Sequence, residues 1–145
     1  ISLNENNYDV SIHHNNKNCT SNTNIHGLTI DNNSIYIKNN GYIPNGSEKS
    51  VLHQDNKIII MNDNKSKIEP NLFIDEYDVE ASHGAYIGKF DEEELFYLNS
   101  RGLDENKCYE LLINGFLLNE FNITDDVKDD LKKIVKKYWR WKNEL

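Results

Sequence analysis

Few side chains in this sequence combine the type and the spacing that chemistry needs, and His83, in the run Ala81-Ser82-His83-Gly84-Ala85, is the first of them. A neutral imidazole ligates transition metals and titrates near physiological pH, so His83 is a candidate transient metal ligand or proton-handling group. The plain alternative is a histidine that packs and hydrogen-bonds at a strand end, with Gly84 beside it serving the backbone. His13 and His14 look like a metal pair, but adjacent side chains on a strand point to opposite faces, so one inside and one outside is expected. Glu80 lies near His83 in sequence, but spacing alone does not make the two a site. Cys19 and Cys108 fall one in each half, with no CxxC and no Cys–His cluster, so the chain alone offers neither a structural zinc site nor a Cys-ligated cluster. Cys19 reads as an exposed loop residue and Cys108 as a small core residue. No Gly-x-x-x-x-Gly-Lys-Ser/Thr loop is present, so ATP hydrolysis by a P-loop is excluded.

The elements that must position these residues change character near Phe90. Before it come short β-rich pieces: Val10-Ser11-Ile12-His13, Ile25 to Ile30, Ser34-Ile35-Tyr36-Ile37, Lys57 to Met61, Asn71-Leu72-Phe73-Ile74 and Tyr77 to Ala81. Turn residues divide them at Asp31-Asn32-Asn33, Asn39-Asn40-Gly41, Pro44-Asn45-Gly46, Asn62-Asp63-Asn64 and Glu69-Pro70-Asn71. Short strands at regular spacing admit a sandwich or a β-solenoid, and the solenoid is preferred because no tight Asn-Gly hairpin joins two matched strands. Past Phe90 three helices are expected. Asp91 with Glu94 forms a capping-box start, Leu95, Phe96 and Leu98 supply an apolar face, and Gly102 is the stop. Asp104 caps a second helix with Cys108, Leu111, Leu112, Gly115, Phe116 and Leu118 at helical spacing. Thr124 opens a third, acidic early and lysine-rich late as the macrodipole favours, with Val127, Leu131, Ile134, Val135 and Tyr138 as its buried stripe. Trp139 and Trp141 near its end are read as closing the helical core, with anchoring of a partner as the alternative.

Composition limits the partners. The 145 residues make one ordinary domain's worth of chain, able to bury roughly two thirds of its unfolded surface. A net charge of -8 and a pI near 5.1 argue against nucleic acid or an anionic membrane surface as the main partner. No apolar run approaches the length of a spanning helix. The sequence opens at Ile1 rather than Met, and the expectation is a processed protein or a piece of a longer one.

The segments Glu69 to Ile74, Tyr77 to Gly88 and Phe90 to Leu103 together resemble the SufB/SufD core family of iron–sulfur cluster assembly, in its carboxy-terminal part. The SufD form of that family runs approximately P-x-L-x-I-x-x-x-D-V-x-C-S-H-G-A-x-x-G-x-x-D-x-x-x-L-F-Y-L-x-S-R-G-I, and order and spacing are kept here from Pro70 to Gly102. SufB-type members resemble E-H-E-A-T where this chain has Ala81-Ser82-His83-Gly84-Ala85, which favours SufD over the alternative of a SufB-type paralogue. Ala81 departs from the usual SufD Cys. The essential SufB cysteine has no counterpart near Asp55-Asn56-Lys57, so this chain is not expected to supply a sulfur-accepting thiol.

The resemblance implies a mainly β fold with α: the end of a right-handed parallel β-helix over residues 1–89, then a small three-helix carboxy-terminal subdomain over 90–145. It implies a non-enzymatic scaffold subunit of a SufBCD-type complex, pairing with a SufB-like protein and docking the SufC-like ATPase, with a homodimer through the β-helix as another assembly. His83 falls at the SufB–SufD interface as the cluster-assembly residue and transient metal ligand. Asp91, Glu94, Phe96, Tyr97 and Arg101 are assigned to the SufC-like contact, although an acidic run such as Asp91 to Glu94 is more often only a helix start. No stably bound cofactor is expected, and a transient iron–sulfur cluster belongs to the complex. A bacterial owner implies the cytoplasm, a eukaryotic one the plastid or apicoplast stroma. The competing class, a β-solenoid acting on or binding polysaccharide, needs clustered carboxylates with Arg or Lys on one face. Here the candidates Asp31, Asp55 and Asp63 are expected in turns, and Arg is absent before Arg101.

Overall fold

A computed structural model describes residues 5–63, 65–119 and 121–143, without the side chains of 119 and 138–143. The expected roles of Tyr138, Trp139 and Trp141 lie outside the described residues. The chain divides into two compact units, Ile1–Lys89 and Phe90–Leu145.

The first unit is all β, with strands β1 Glu5–His13, β2 Thr20–Thr29, β3 Ser34–Ile43, β4 Ser50–Ile60, β5 Lys67–Ile74 and β6 Val79–Gly88. Successive strands alternate between two three-stranded sheets, β1-β3-β5 and β2-β4-β6. Every pairing within them is parallel. The sheets do not close on one another, and hairpins of the kind a sandwich needs are absent among the described residues. Short corners make the turns. Asn18, Asp31 and Lys49 take positive φ there, and Gly46 does so in the expected Pro44-Asn45-Gly46 turn.

The strands are longer than local sequence suggests, because two expected turns are strand. Asn39-Asn40-Gly41 runs through β3, and Glu69-Pro70-Asn71 through β5. Asn40 stays in strand because its amide is paired laterally. Its Nδ2 donates to Asp9 Oδ1 at 2.9 Å, and its Oδ1 accepts from Asn71 Nδ2 at 3.0 Å, each partner 31 residues away. Pro70 of β5 pairs with Asn39 of β3, and β5 has a neighbour on one side only in the described sheet, where a missing N–H costs least. Gly41 is not a turn glycine. A Cβ there would lie 2.8 Å from Leu52 Cδ1, so its bareness lets Leu52 enter the core. The apolar centre is Ile35, Ile37 and Ile58, with Ile25, Ile60 and Ile68 packed against it. Each of the three buried side chains, Ile35, Ile37 and Ile58, contributes about 1.5–3 kcal/mol. A ladder of stacked rings, His13–Tyr42 at 4.3 Å and Tyr42–Phe73 at 4.7 Å, reinforces the outer face of β1-β3-β5. His14, next to His13, is buried and bonds Ser21 Oγ at 2.6 Å, so the histidine neighbours do face opposite ways.

The second unit holds α1 Glu92–Ser100, α2 Glu105–Asn114, a π-helical turn Gly115–Asn119 and α3 Asp125–Asn143. Asp91 accepts from the Glu93 N–H and Asp104 from the Lys107 N–H, as N-caps should. At the end of α1 the Gly102 N–H bonds Asn99 O and the Leu103 N–H reaches Leu98 O, with Gly102 at φ 90. That is the Schellman pattern. Gly115 marks the change from α to π winding rather than the middle of one helix. Among the described residues of this unit, Cys108, Ile113, Leu118 and Val135 are buried. Three expectations fail here. Phe96 is 75% exposed because Leu95 and Leu98, three apart, take the packed side of α1. Leu111 is exposed while Ile113 is buried, and on α3 Val127 and Ile134 are exposed while Val135 alone is buried among the described stripe.

Candidate functional site

The whole of Ala81-Ser82-His83-Gly84-Ala85 lies on β6 rather than at a strand end. Parallel register stacks His83 beside Gln54 of β4, which stands beside Thr23 of β2. Paired residues in such a ladder share a face. Gln54 is buried at 3%, so His83 sits in the core-facing row, yet it is exposed because β6 ends its sheet. An imidazole at the open end of an interior row is accessible to a partner or ligand approaching along the stack.

Beneath His83 the interior is polar. Gln54 Nε2 reaches the Asn39 and Asn71 carbonyls, both at 3.4 Å. Asn39 Nδ2 donates to Asn56 Oδ1 at 2.9 Å, and Asn56 Nδ2 donates to Gly84 O at 3.1 Å. This chain of amides ties the residue after His83 to the core, fixing the backbone on which the imidazole is carried. Gly84 itself has no left-handed backbone. A Cβ there would come within 3.3 Å of Asp55 Oδ1, so close approach rather than turn geometry accounts for the glycine.

On the opposite face of β6, Glu80 and Ser82 flank His53 of β4. His53 Nδ1 is 2.7 Å from Ser82 Oγ, and His53 Nε2 is 3.6 Å from Glu80 Oε1. Sequence reasoning missed this group. The signal that finds it is the strand repeat, since His53 and Ser82 are 29 residues apart. Among the described residues no cluster of three or more His, Cys, Asp or Glu side chains is assembled for a metal.

On the helical unit, Asp91, Glu94 and Tyr97 are brought together, with Glu93, Leu98 and Leu112, around an open hollow of about 350 Å³. Arg101 lies over the Tyr97 ring at 5.1 Å. Phe96 does not line the hollow and projects into solvent. Of the glycan-type carboxylates, Asp31 and Asp63 are at corners, but Asp55 is on β4, paired with Lys57 at 2.9 Å. Asp63 pairs with Lys89 at 3.3 Å. The three do not cluster with an arginine. Cys19 is half-buried just before β2, and its N–H meets Ser50 Oγ at 3.2 Å. The Cys108 thiol is buried against Asn99 and Leu103. No described helix is long and apolar enough to cross a membrane.

Fold and site define a parallel β scaffold whose last strand presents an imidazole at the open end of its interior row, followed by a helical unit with an acidic–aromatic hollow. Comparison with known families narrows that class: residues 4–116 match the family described as SUF system FeS cluster assembly, SufBD core domain. The chain belongs to this SufBD core family. It is 33% identical over 116 residues to the iron–sulfur cluster assembly protein SufD of Bacillus subtilis, covering 77% of this chain and 26% of that protein. It is 36% identical over 62 residues to SufD of Escherichia coli, covering 43% of this chain and 14% of that protein. It is 45% identical over 74 residues to the Arabidopsis thaliana protein ABCI7, chloroplastic, covering 47% of this chain and 16% of that protein. The chain thus spans about a quarter or less of the length of these relatives.

Proposed function

We propose that this chain acts as a SufD-like scaffold subunit in iron–sulfur cluster assembly, and that it is not itself an enzyme. In this reading the two parallel sheets are coils of a right-handed parallel β-helix, and the end of the stack pairs with a SufB-like protein. His83 holds iron only transiently, while a cluster is being built between the two chains, and no cofactor stays with this chain alone. The hollow lined by Asp91, Glu94 and Tyr97, with Arg101 over the tyrosine, receives a SufC-like ATPase. The cytoplasm of a bacterium or the stroma of a plastid or apicoplast is the matching compartment.

The observation that carries the reading is His83: a core-facing residue left open to solvent by its place on the last strand of a sheet. It is the residue that the SufD-type motif singles out, and both SufD relatives are named for cluster assembly. Ala81 and Gln54 as its neighbours supply no thiol, so further ligands must come from a partner. Co-purification with a SufC-type ATPase and a SufB-type protein tests the proposal. Association of all three is expected, and failure of this chain to associate would sink it.

A further inference from the structure

The face of the β2-β4-β6 sheet that looks away from the core row brings His53 of β4 beside Glu80 of β6. Neighbours on a strand point to opposite faces, so Glu80 and Ser82 share one side of β6 while His83 takes the other. Register sets Ser82 directly beside His53 of β4. The His53 and Glu80 side chains are 38% and 73% exposed, so the space between them opens to water.

The separation of the two groups decides what can sit there. At 3.6 Å, His53 Nε2 and Glu80 Oε1 are too far apart for an ordinary N–H···O hydrogen bond. Two ligands bound to one tetrahedral cation at about 2.0–2.2 Å lie about 3.3–3.6 Å from each other, so the gap fits a shared ion. His53 Nδ1 is held by Ser82 Oγ at 2.7 Å, and a hydrogen bond to the second ring nitrogen is what orients a metal-bound imidazole. In the tautomer whose Nδ1 donates to Ser82, the Nε2 lone pair is left free to ligate a cation shared with the carboxylate oxygen.

We propose that His53 Nε2 and the Glu80 carboxylate bind a first-row divalent cation of the Zn²⁺, Fe²⁺ or Co²⁺ kind, with Ser82 as the positioning residue. One imidazole and one carboxylate suit these ions better than Mg²⁺ or Ca²⁺, which take oxygen ligands. With two protein ligands and the remaining positions open, the site is exchangeable: it takes up and releases its ion rather than holding it as a structural centre. It goes beyond the scaffold reading and does not depend on it, because His83 is on the other face.

Co²⁺ titration of the chain tests the proposal, followed by visible d–d absorption and by paramagnetic broadening of the histidine ring signals in NMR. Saturable broadening of the His53 ring ahead of the other histidines is expected. His53→Ala and Glu80→Gln should each remove that phase, and Ser82→Ala should weaken it about tenfold. Zn²⁺ should displace the Co²⁺ and Mg²⁺ should not. Unchanged Co²⁺ binding in Glu80→Gln, or no saturable effect on the His53 ring of the unsubstituted chain, would overturn the proposal. The latter measurement decides the matter even if a variant fails to fold.

Discussion

Substituting Asn56 by leucine probes whether the polar interior holds up the strand that carries His83. Asn56 is fully buried, accepts from Asn39 Nδ2 at 2.9 Å and donates to Gly84 O at 3.1 Å. Leucine keeps most of the volume and removes both bonds. Asn39 is also fully buried, and its Oδ1 already lacks a partner among the described residues, so its Nδ2 would be orphaned as well. An orphaned buried donor costs about 1–3 kcal/mol, and the lost bond to Gly84 adds about 1 kcal/mol, for a destabilisation of about 2–4 kcal/mol. Replacing both partners, Asn39→Leu with Asn56→Leu, removes the orphaned donor. The double variant should therefore recover at least about 1 kcal/mol relative to the sum of the singles. Urea unfolding of the four proteins, followed by circular dichroism and fluorescence, gives the midpoints and slopes. A single variant within about 0.5 kcal/mol of the parent, or strictly additive singles, would refute the structural role assigned to this amide chain.

Gly41→Ala should destabilise by about 1–3 kcal/mol in the same assay, because its Cβ would lie 2.8–2.9 Å from both methyl groups of the fully buried Leu52. Gly84→Ala should be far milder, since it meets only the half-exposed Asp55 carboxylate at 3.3 Å. Glu69 accepts from the Tyr36 hydroxyl at 2.6 Å and from Lys67 at 3.0 Å, and these bonds lower its pKa from 4.5 to about 2. A depressed carboxylate contributes stability that is complete above pH 4.5 and is lost as pH falls toward 2, so Glu69→Gln should flatten the acid limb of the stability–pH curve in that window. An unchanged acid limb would contradict this. Tyr97→Ala, which removes the ring under Arg101 and one wall of the hollow, should weaken association with a SufC-type ATPase while leaving folding intact. Unaltered binding would remove the hollow from the proposed contact.

What was legible from sequence followed from local chemistry. Asp91 and Asp104 cap their helices, Gly102 stops α1, and Asp31 and Gly46 turn corners, because each role is settled by a side chain and its own backbone. What was not legible depended on partners far along the chain. Asn39, Asn40 and Gly41 carry turn propensity, yet they lie in β3 because Asp9, Asn56, Asn71 and Leu52 meet them across the sheets. The same distance hid His53. Parallel register sets Ser82 beside it from 29 residues away, and Glu80 comes with Ser82 on the same face of β6. Phe96 is apolar yet exposed because α1 packs through Leu95 and Leu98 alone, a choice that hydrophobicity does not specify. For His83 the motif marked the residue, and the register supplied the reason it is reachable: it faces inward on the last strand of its sheet.

The most direct test of the account is cluster production by a reconstituted complex of this protein with SufB-type and SufC-type proteins, carrying His83→Ala. The account predicts an assembled, folded complex with cluster formation strongly impaired, because His83 is exposed on β6. Full cluster formation by the assembled variant complex, or loss of the folded state, would contradict it.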